Sequence, residues 1–284
     1  MASVKLGTSL RLLFPTSPQT HGAFRRALAP AARAAGLDGL LVGDNHAVPA
    51  AYANCFAPIP SLARLMAVTG DMPVGMVLLA PFYEPIVLAE QIGTLAAFAG
   101  GPLIVTLALG GRAQAFAAFG REQRSRVGRL EELATVLRPL LAGERVTFHG
   151  RYHTVEGAQV SPLPRVPISL WIAGTVRAAA ERAGRLGDGW LTGQNAGIAD
   201  LSEQLEVYRE AAARAGRPAL PVLRRDIFVG DSDVAAAAVV QQLREYAAMG
   251  FGQVMVRHIT GDHARMLESF DRIGRHVIPA IRDL

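Results

Sequence analysis

The chain has 284 residues, half of them apolar, which is enough for a large domain with a buried core. It carries 29 basic residues, all but Lys5 being arginine, against 24 acidic ones, and no basic run is interleaved with aromatics as nucleic-acid binding needs, so nucleic acid is not an expected partner. No apolar run approaches the roughly 18 residues of a membrane span, and the lone Cys55 excludes an internal disulfide or a thiolate metal cluster, so a cytoplasmic protein away from the membrane is expected.

Short apolar runs bounded by Gly, Pro and polar residues read as strands, and apolar positions recurring every three to four residues read as helices. In chain order the expected strands are Val4–Leu13, Gly39–Val42, Val74–Leu79, Leu103–Leu109, Ile168–Ala173, Gly189–Thr192, Val222–Val229 and Gln253–Arg257. The apolar run at the N-terminus is broken by Gly7 and Pro15 and reads as a strand, not a signal peptide. Helical patterns fall between them at Phe24–Ala35, Ile59–Val68, Pro85–Phe98, Val176–Arg185, Leu201–Ala215 and Val234–Met249, with His263–Ile281 last; Pro85 is well placed as a first helical residue.

Eight strands, nearly all followed by a helix, at about 35 residues per unit, are the arithmetic of an α/β protein of the (β/α)8 TIM-barrel type, here read as one domain over residues 1–284. A doubly wound open sheet would need a Gly-rich dinucleotide turn after an early strand, and Gly110–Gly111 is too little to make one. The connection between strands four and five is too long for a simple crossover. This insertion, about 111–167, holds a helix with apolar Val127, Leu130, Leu133, Leu137 and Leu140, followed by "FHGRYHTV" (Phe148–Val155), which reads as a hairpin.

Polar residues at strand ends carry the candidate chemistry. Strand five ends in Gly174–Thr175 just before a helix, where free N–H groups and the helix dipole favour a phosphate; Arg177 adds charge, and a plain Thr N-cap is the alternative. "LLVGDNH" delivers Asp44, Asn45 and His46 together to the rim, either as a reactive cluster or as a polar loop. His149 and His153 flank a turn and do not share a helix face. Arg257 and His258 end strand eight, where they could meet an anionic group. Only Asp44 and Asp188 stand near enough to strand ends to complete a metal site, so no metal is expected. "REQRSRVGR" (Arg121–Arg129) is a solvated helix face unless one Arg bends over a phosphate.

With these pieces placed, the sequence resembles the bacterial luciferase-like family of flavin- and deazaflavin-dependent oxidoreductases. The likeness rests on "AGLDGLLVGDNH", "PFYEPIVLAEQIGTLAAFAGGPLIVTLALGG", "FAAFGREQRSRVGRLEELATVL", "SPLPRVPISLWIAG" and "RAAAERAGRLGDGWLTG" in order over most of the chain. The resemblance implies coenzyme F420, a 5-deazaflavin, or alternatively FMN, at the C-terminal rim, with its phosphate near Gly174–Thr175 and Arg126 helping to hold it. It also implies a non-proline cis peptide near Met76–Val77, a ring wall of Met76, Val77, Leu78 and Leu109, and cofactor or substrate contacts from Asp44. The catalytic role falls to His46 or Asn45, because Asn45 occupies the family's His position and His46 lies one step beyond. Gly100–Gly101–Pro102 replaces the usual Gly-Gly-Arg. Ala108 stands where light-emitting members have a reactive Cys, so light emission is not expected. The resemblance thus implies hydride transfer between coenzyme F420 and a small organic substrate, or a reduced-FMN monooxygenase, or a non-catalytic flavin-binding protein. A homodimer is implied as well, with substrate choice set by Ala47–Pro60 and the insertion.

Overall fold

The computed structural model describes residues 4–10, 13–14, 27–50, 54–193, 197–229, 233–257 and 263–282. Eight parallel strands close into a barrel: β1 (Lys5–Leu10), β2 (Leu40–Val42), β3 (Val74–Leu79), β4 (Leu103–Ala108), β5 (Ile168–Ala173), β6 (Gly189–Leu191), β7 (Pro221–Asp226) and β8 (Gln253–Arg257). Neighbours follow chain order around the ring, and β1 closes it by pairing with both β2 and β8. The (β/α)8 expectation therefore stands: β3, β5 and β8 form over the residues expected, and the other strands with ends shifted by one to three residues. β7 stops at Asp226 rather than Val229, because the Val229 N–H leaves the ladder and donates to Ser269 Oγ at 3.2 Å.

Alternation along the strands sorts the side chains into two layers. Leu41, Val77, Ile104, Trp171, Leu191, Val222 and Met255, one from each of seven strands, pack together inside the barrel. In β1 the corresponding residue is Gly7, where a Cβ would fall 2.7 Å from Met255 Sδ. Trp171 fits because Gly189 lies against it; a Cβ there would be 2.6 Å from the indole. Its indole N–H donates to Ser169 Oγ at 2.8 Å, so the buried donor is satisfied. Leu40, Val42, Met76, Leu78 and Trp190 face outward into the larger core beneath the helices.

The helices are α1 (27–34), α2 (Pro58–Met66), α3 (Pro85–Phe98), α4 (Ala113–Ala118), α5 (Arg126–Leu141), α6 (Arg177–Leu186), α7 (Ile198–Arg214), α8 (Asp233–Met249) and α9 (His263–Arg272). The expected helix to Ile281 is interrupted by a π turn over Ile273–Val277. It lies just before Pro279, which cannot donate to the carbonyl four residues back. No helix among the described residues is long and apolar enough to cross a membrane.

The insertion contains the expected helix as α5, a further short helix α4, and a hairpin of Val146–His149 with Thr154–Ala158 around the expected Phe148–Val155. What holds the hairpin to α5 is Glu132, whose carboxylate accepts the backbone N–H groups of Arg151, Tyr152 and His153 at 2.8, 2.8 and 2.9 Å. His153 is buried, and burial holds its imidazole below the usual range near 6.5, although Glu84 stands 3.4 Å from Nδ1. The unfolded chain therefore binds this proton before the folded one does. Stability is full above about pH 6.5 and is lost as pH falls toward the depressed folded value, by at most about 1.4 kcal/mol per unit for one proton. Denaturant melts from pH 7 to 5 should show that loss, and His153→Gln, which stays neutral, should lessen it.

Two expectations are corrected here. The one cis peptide among the described residues is Ser161–Pro162; the Met76–Val77 peptide is trans, within an unbroken ladder in which Met76 pairs with Val105 and Val77 with Thr106. Asp188 precedes β6 and so lies at the opposite face from the strand ends, where it accepts from Leu170 N–H and Arg138.

Candidate active site

Asp44 follows β2 and turns its carboxylate inward, fully covered. One oxygen, Oδ2, accepts the Leu79 N–H at 3.0 Å and the Tyr83 hydroxyl at 2.9 Å, and lies 3.0 Å from His46 Nε2. The end of β2 is thereby tied to the end of β3 and to the turn into α3. Oδ1 is buried without a partner in the protein, a costly state unless a bound molecule or water supplies a donor. Burial, and then the Asp44 charge, push the Tyr83 phenol upward, so it stays a neutral donor.

His46 remains partly exposed and sits in an aromatic box. Phe82, Tyr83 and Phe119 meet its ring edge-on at centroid distances of 5.2, 5.7 and 5.3 Å. Phe119, at the end of α4, brings the insertion over this strand end, and Phe116 backs it through Phe82. Asn45 offers its carbonyl to the Cys55 thiol at 3.2 Å, and burial, then Asp44, push that thiol up, away from reactivity.

Ala47 has φ +49°, the left-handed region that a Cβ disfavours by about 1–2 kcal/mol. Arg112 holds the strained turn by donating to the carbonyls of Ala47 at 2.7 Å and His46 at 3.3 Å. Ala47→Gly should raise stability by about 0.5 kcal/mol, the strain relieved less the added freedom of the unfolded chain. Arg112→Ala should lower turnover without moving the melting temperature by more than a degree or two. Thermal melts and steady-state rates on the two variants check both outcomes.

The expected phosphate residues lie past the end of β5, two strands round the ring from β3. The Trp190 indole N–H donates to the Gly174 carbonyl at 3.1 Å, and a Cβ on Gly174 would overlap that of Ala179 in α6. Thr175 is exposed beside Gly193 and is not the N-cap: α6 begins at Arg177 after Val176, and no side chain caps its N–H groups. Arg177 turns to Glu203 of α7 at 2.7 Å, both exposed. Arg126 opens α5 and donates from Nη1 to the Gly110 carbonyl at 3.3 Å, beside the end of β4. Of the expected ring wall, Val77 faces the barrel interior, whereas Met76, Leu78 and Leu109 belong to the outer core; Ala108 and Ala173 are the neighbouring interior positions. The structure thus joins Asp44 and His46 directly and sets Met76 apart, buried behind the strand.

Across the barrel, Arg257 pairs bidentately with Asp226 at 2.5 Å, so its charge is already matched. Arg224, on the same strand as Asp226, is held below the usual guanidinium range by burial and then by Arg257. His258 lies outside the described residues. His149 is exposed beside Glu156 and His153 is buried, and no metal-holding cluster occurs among the described residues. Tyr83, Phe119 and Arg112 were missed in the sequence. The signal for Tyr83 was there in "PFYEP": a helix-opening Pro85 holds Glu84 extended, and Tyr83 just before it is extended too, its phenol reaching the strand end.

The closed barrel thus carries an insertion over one rim and a carboxylate–imidazole pair at a strand end. The model of the luciferase-like monooxygenases matches residues 6–275, and the chain belongs to that family. It is 33% identical over 202 residues to the F420-dependent glucose-6-phosphate dehydrogenase of Mycolicibacterium smegmatis; the match covers 68% of this chain and 60% of that protein's length. Among solved structures, the monooxygenase RslO1 from Streptomyces bottropensis superposes with TM-score 0.84 at 19% identity, over 97% of this chain and 99% of that one. An F420-dependent secondary alcohol dehydrogenase, solved with an F420-acetone adduct, superposes with TM-score 0.82 at 18% identity over 100% of both.

Proposed function

We propose that the protein is an oxidoreductase that transfers hydride between coenzyme F420 and a small organic substrate at the C-terminal mouth of the barrel. The observation that carries this reading is the Asp44–His46 pair, a proton-handling group at a strand end of a luciferase-like barrel. The F420-dependent relative supports the cofactor choice. The residues present fit a deazaflavin. Val77, with Ala108 and Ala173, offers an apolar floor. The uncapped N–H groups at the start of α6, reached over Gly174 and Thr175, offer a phosphate seat. The unpartnered Asp44 Oδ1 accepts a donor from the ring or the substrate. When bound, the coenzyme supplies or takes the hydride.

The chain's own residues then have few tasks. His46 takes the proton from an alcohol or gives it to a carbonyl, Asn45 orients a polar group, and the box of Phe82 and Phe119 limits water around the imidazole. A reduced-FMN monooxygenase is the second reading, favoured by Arg126, which stands at the start of α5 where a flavin phosphate could be held. The protein is further proposed to be a cytoplasmic homodimer. Exposed Phe98 and Val87 on α3 and Val68 after α2 support a partner face. The deciding experiment is a titration of the purified protein with oxidised and reduced forms of both cofactors. Tighter binding of coenzyme F420, weakening with salt as its acidic tail is screened, is expected; FMN binding with oxygen consumption and no F420 affinity would reverse the assignment.

A further inference from the structure

We infer that Asp44 and Tyr83 fix the His46 ring with Nε2 anchored and protonated, so that Nδ1 is the nitrogen exchanging a proton with substrate, and that Tyr83 is a positioning residue for this step. The inference rests on the reading of His46 as the proton carrier. It follows from counting donors. The Leu79 amide can only donate, so the Asp44 Oδ2 it meets at 3.0 Å is an acceptor. The Tyr83 hydroxyl, 2.9 Å from the same oxygen, donates its one hydrogen there. A ring nitrogen 3.0 Å from an oxygen already accepting twice bonds to it only by carrying a hydrogen. Nε2 is therefore the N–H nitrogen of neutral His46, and Nδ1 holds the lone pair.

With the substrate as an alcohol, its O–H proton passes to Nδ1 as the hydride leaves the adjoining carbon for the oxidised deazaflavin. The products are a carbonyl compound, the reduced coenzyme and a His46 imidazolium facing the Asp44 carboxylate. The reverse direction returns the same proton. The spacing of the pair makes this possible. Asp44 and His46 are two apart and meet at 3.0 Å, whereas Asn45 between them offers its carbonyl to Cys55. The charged or titratable groups facing His46 are Asp44 from the β2 end, Tyr83 from the turn into α3, and Arg112 at its backbone carbonyl, with Cys55 one residue away on the Asn45 carbonyl.

The test needs no cofactor for its first part. In the ¹⁵N-labelled full-length protein at a pH where the ring is neutral, long-range proton–nitrogen correlations should show His46 as the Nε2–H form. In Asp44→Ala, which removes the acceptor of Nε2–H, the ring should relax toward the mixed tautomers of an unanchored imidazole. Tyr83→Phe keeps the ring and its packing but removes one donor from the carboxylate, leaving more charge for the imidazolium. The acid limb of its rate–pH profile should move to higher pH, with turnover on that limb down about threefold to tenfold and KM little changed; a merely structural tyrosine would lower stability and leave the limb in place. A dominant Nδ1–H form in the parent, or an unmoved limb in a folded Tyr83→Phe enzyme, overturns the inference. His46→Ala turning over like the parent would instead overturn the proton-transfer reading beneath it, whatever the tautomer.

Discussion

Replacing His46 with alanine should lower turnover by about 10²–10⁴-fold, the usual worth of a positioned general acid or base, while cofactor affinity changes little. The imidazole is the one side chain at the β2 end that both bonds the buried Asp44 and keeps an exposed edge. On the proposed reading its loss removes the proton carrier, and it leaves Asp44 Oδ2 still holding Leu79 and Tyr83, so the strand end stays tied. Asn45→Ala should cost much less, since Asn45 is tied through its backbone carbonyl to the Cys55 thiol, a contact that survives the substitution. Steady-state rates with the authentic substrate, alongside cofactor titrations on each variant, separate the two roles. A severe Asn45→Ala enzyme beside a mild His46→Ala one would return the catalytic role to Asn45.

How much of this was legible in the sequence depends on how local the signal was. The barrel was, because each strand is a short apolar run flanked by Gly or Pro, and strands β3, β5 and β8 form over the residues expected. The "DNH" cluster was visible as polar residues where an apolar run stops. What the sequence did not show is that Asp44 and His46 are partners while Asn45 is not, since that depends on how the backbone leaves β2. Nor did it show Arg112, 65 residues from the Ala47 carbonyl it holds. The wall residues were misjudged at Met76 because a fully buried parallel strand is apolar on both faces, and hydrophobicity alone cannot say which face looks inward. The parity emerges only through contacts: Gly75 lies where a Cβ would overlap the Ile104 carbonyl inside the barrel, so Val77, two residues on, faces inward with it.

Gly174→Ala should weaken cofactor binding at the proposed phosphate seat by about tenfold to a hundredfold, roughly 1.4–2.7 kcal/mol, and it should also lower stability. The new Cβ would overlap the Cβ of Ala179, one turn into α6, and overpacking of that kind costs about 1–3 kcal/mol of stability. On the proposed reading it would also crowd the backbone over which a phosphate reaches the N–H groups that no side chain caps. The double variant Gly174→Ala with Ala179→Gly separates them: it makes room behind the new methyl, so its melting temperature should recover most of the loss, less the helix cost of a glycine, about 1 kcal/mol. If the bare backbone is the phosphate seat, cofactor affinity in the double variant should stay low. Thr175→Ala should cost less, about 0.5–1.5 kcal/mol for one hydrogen bond, because Thr175 is exposed and would only add to the proposed backbone seat. Calorimetric titrations with FMN and with coenzyme F420 on the parent and the three variants give the affinities, and thermal melts give the stabilities. A stable double variant that binds like the parent would move the phosphate away from β5 to the rim after β7 and β8, the commoner position in barrels of this kind.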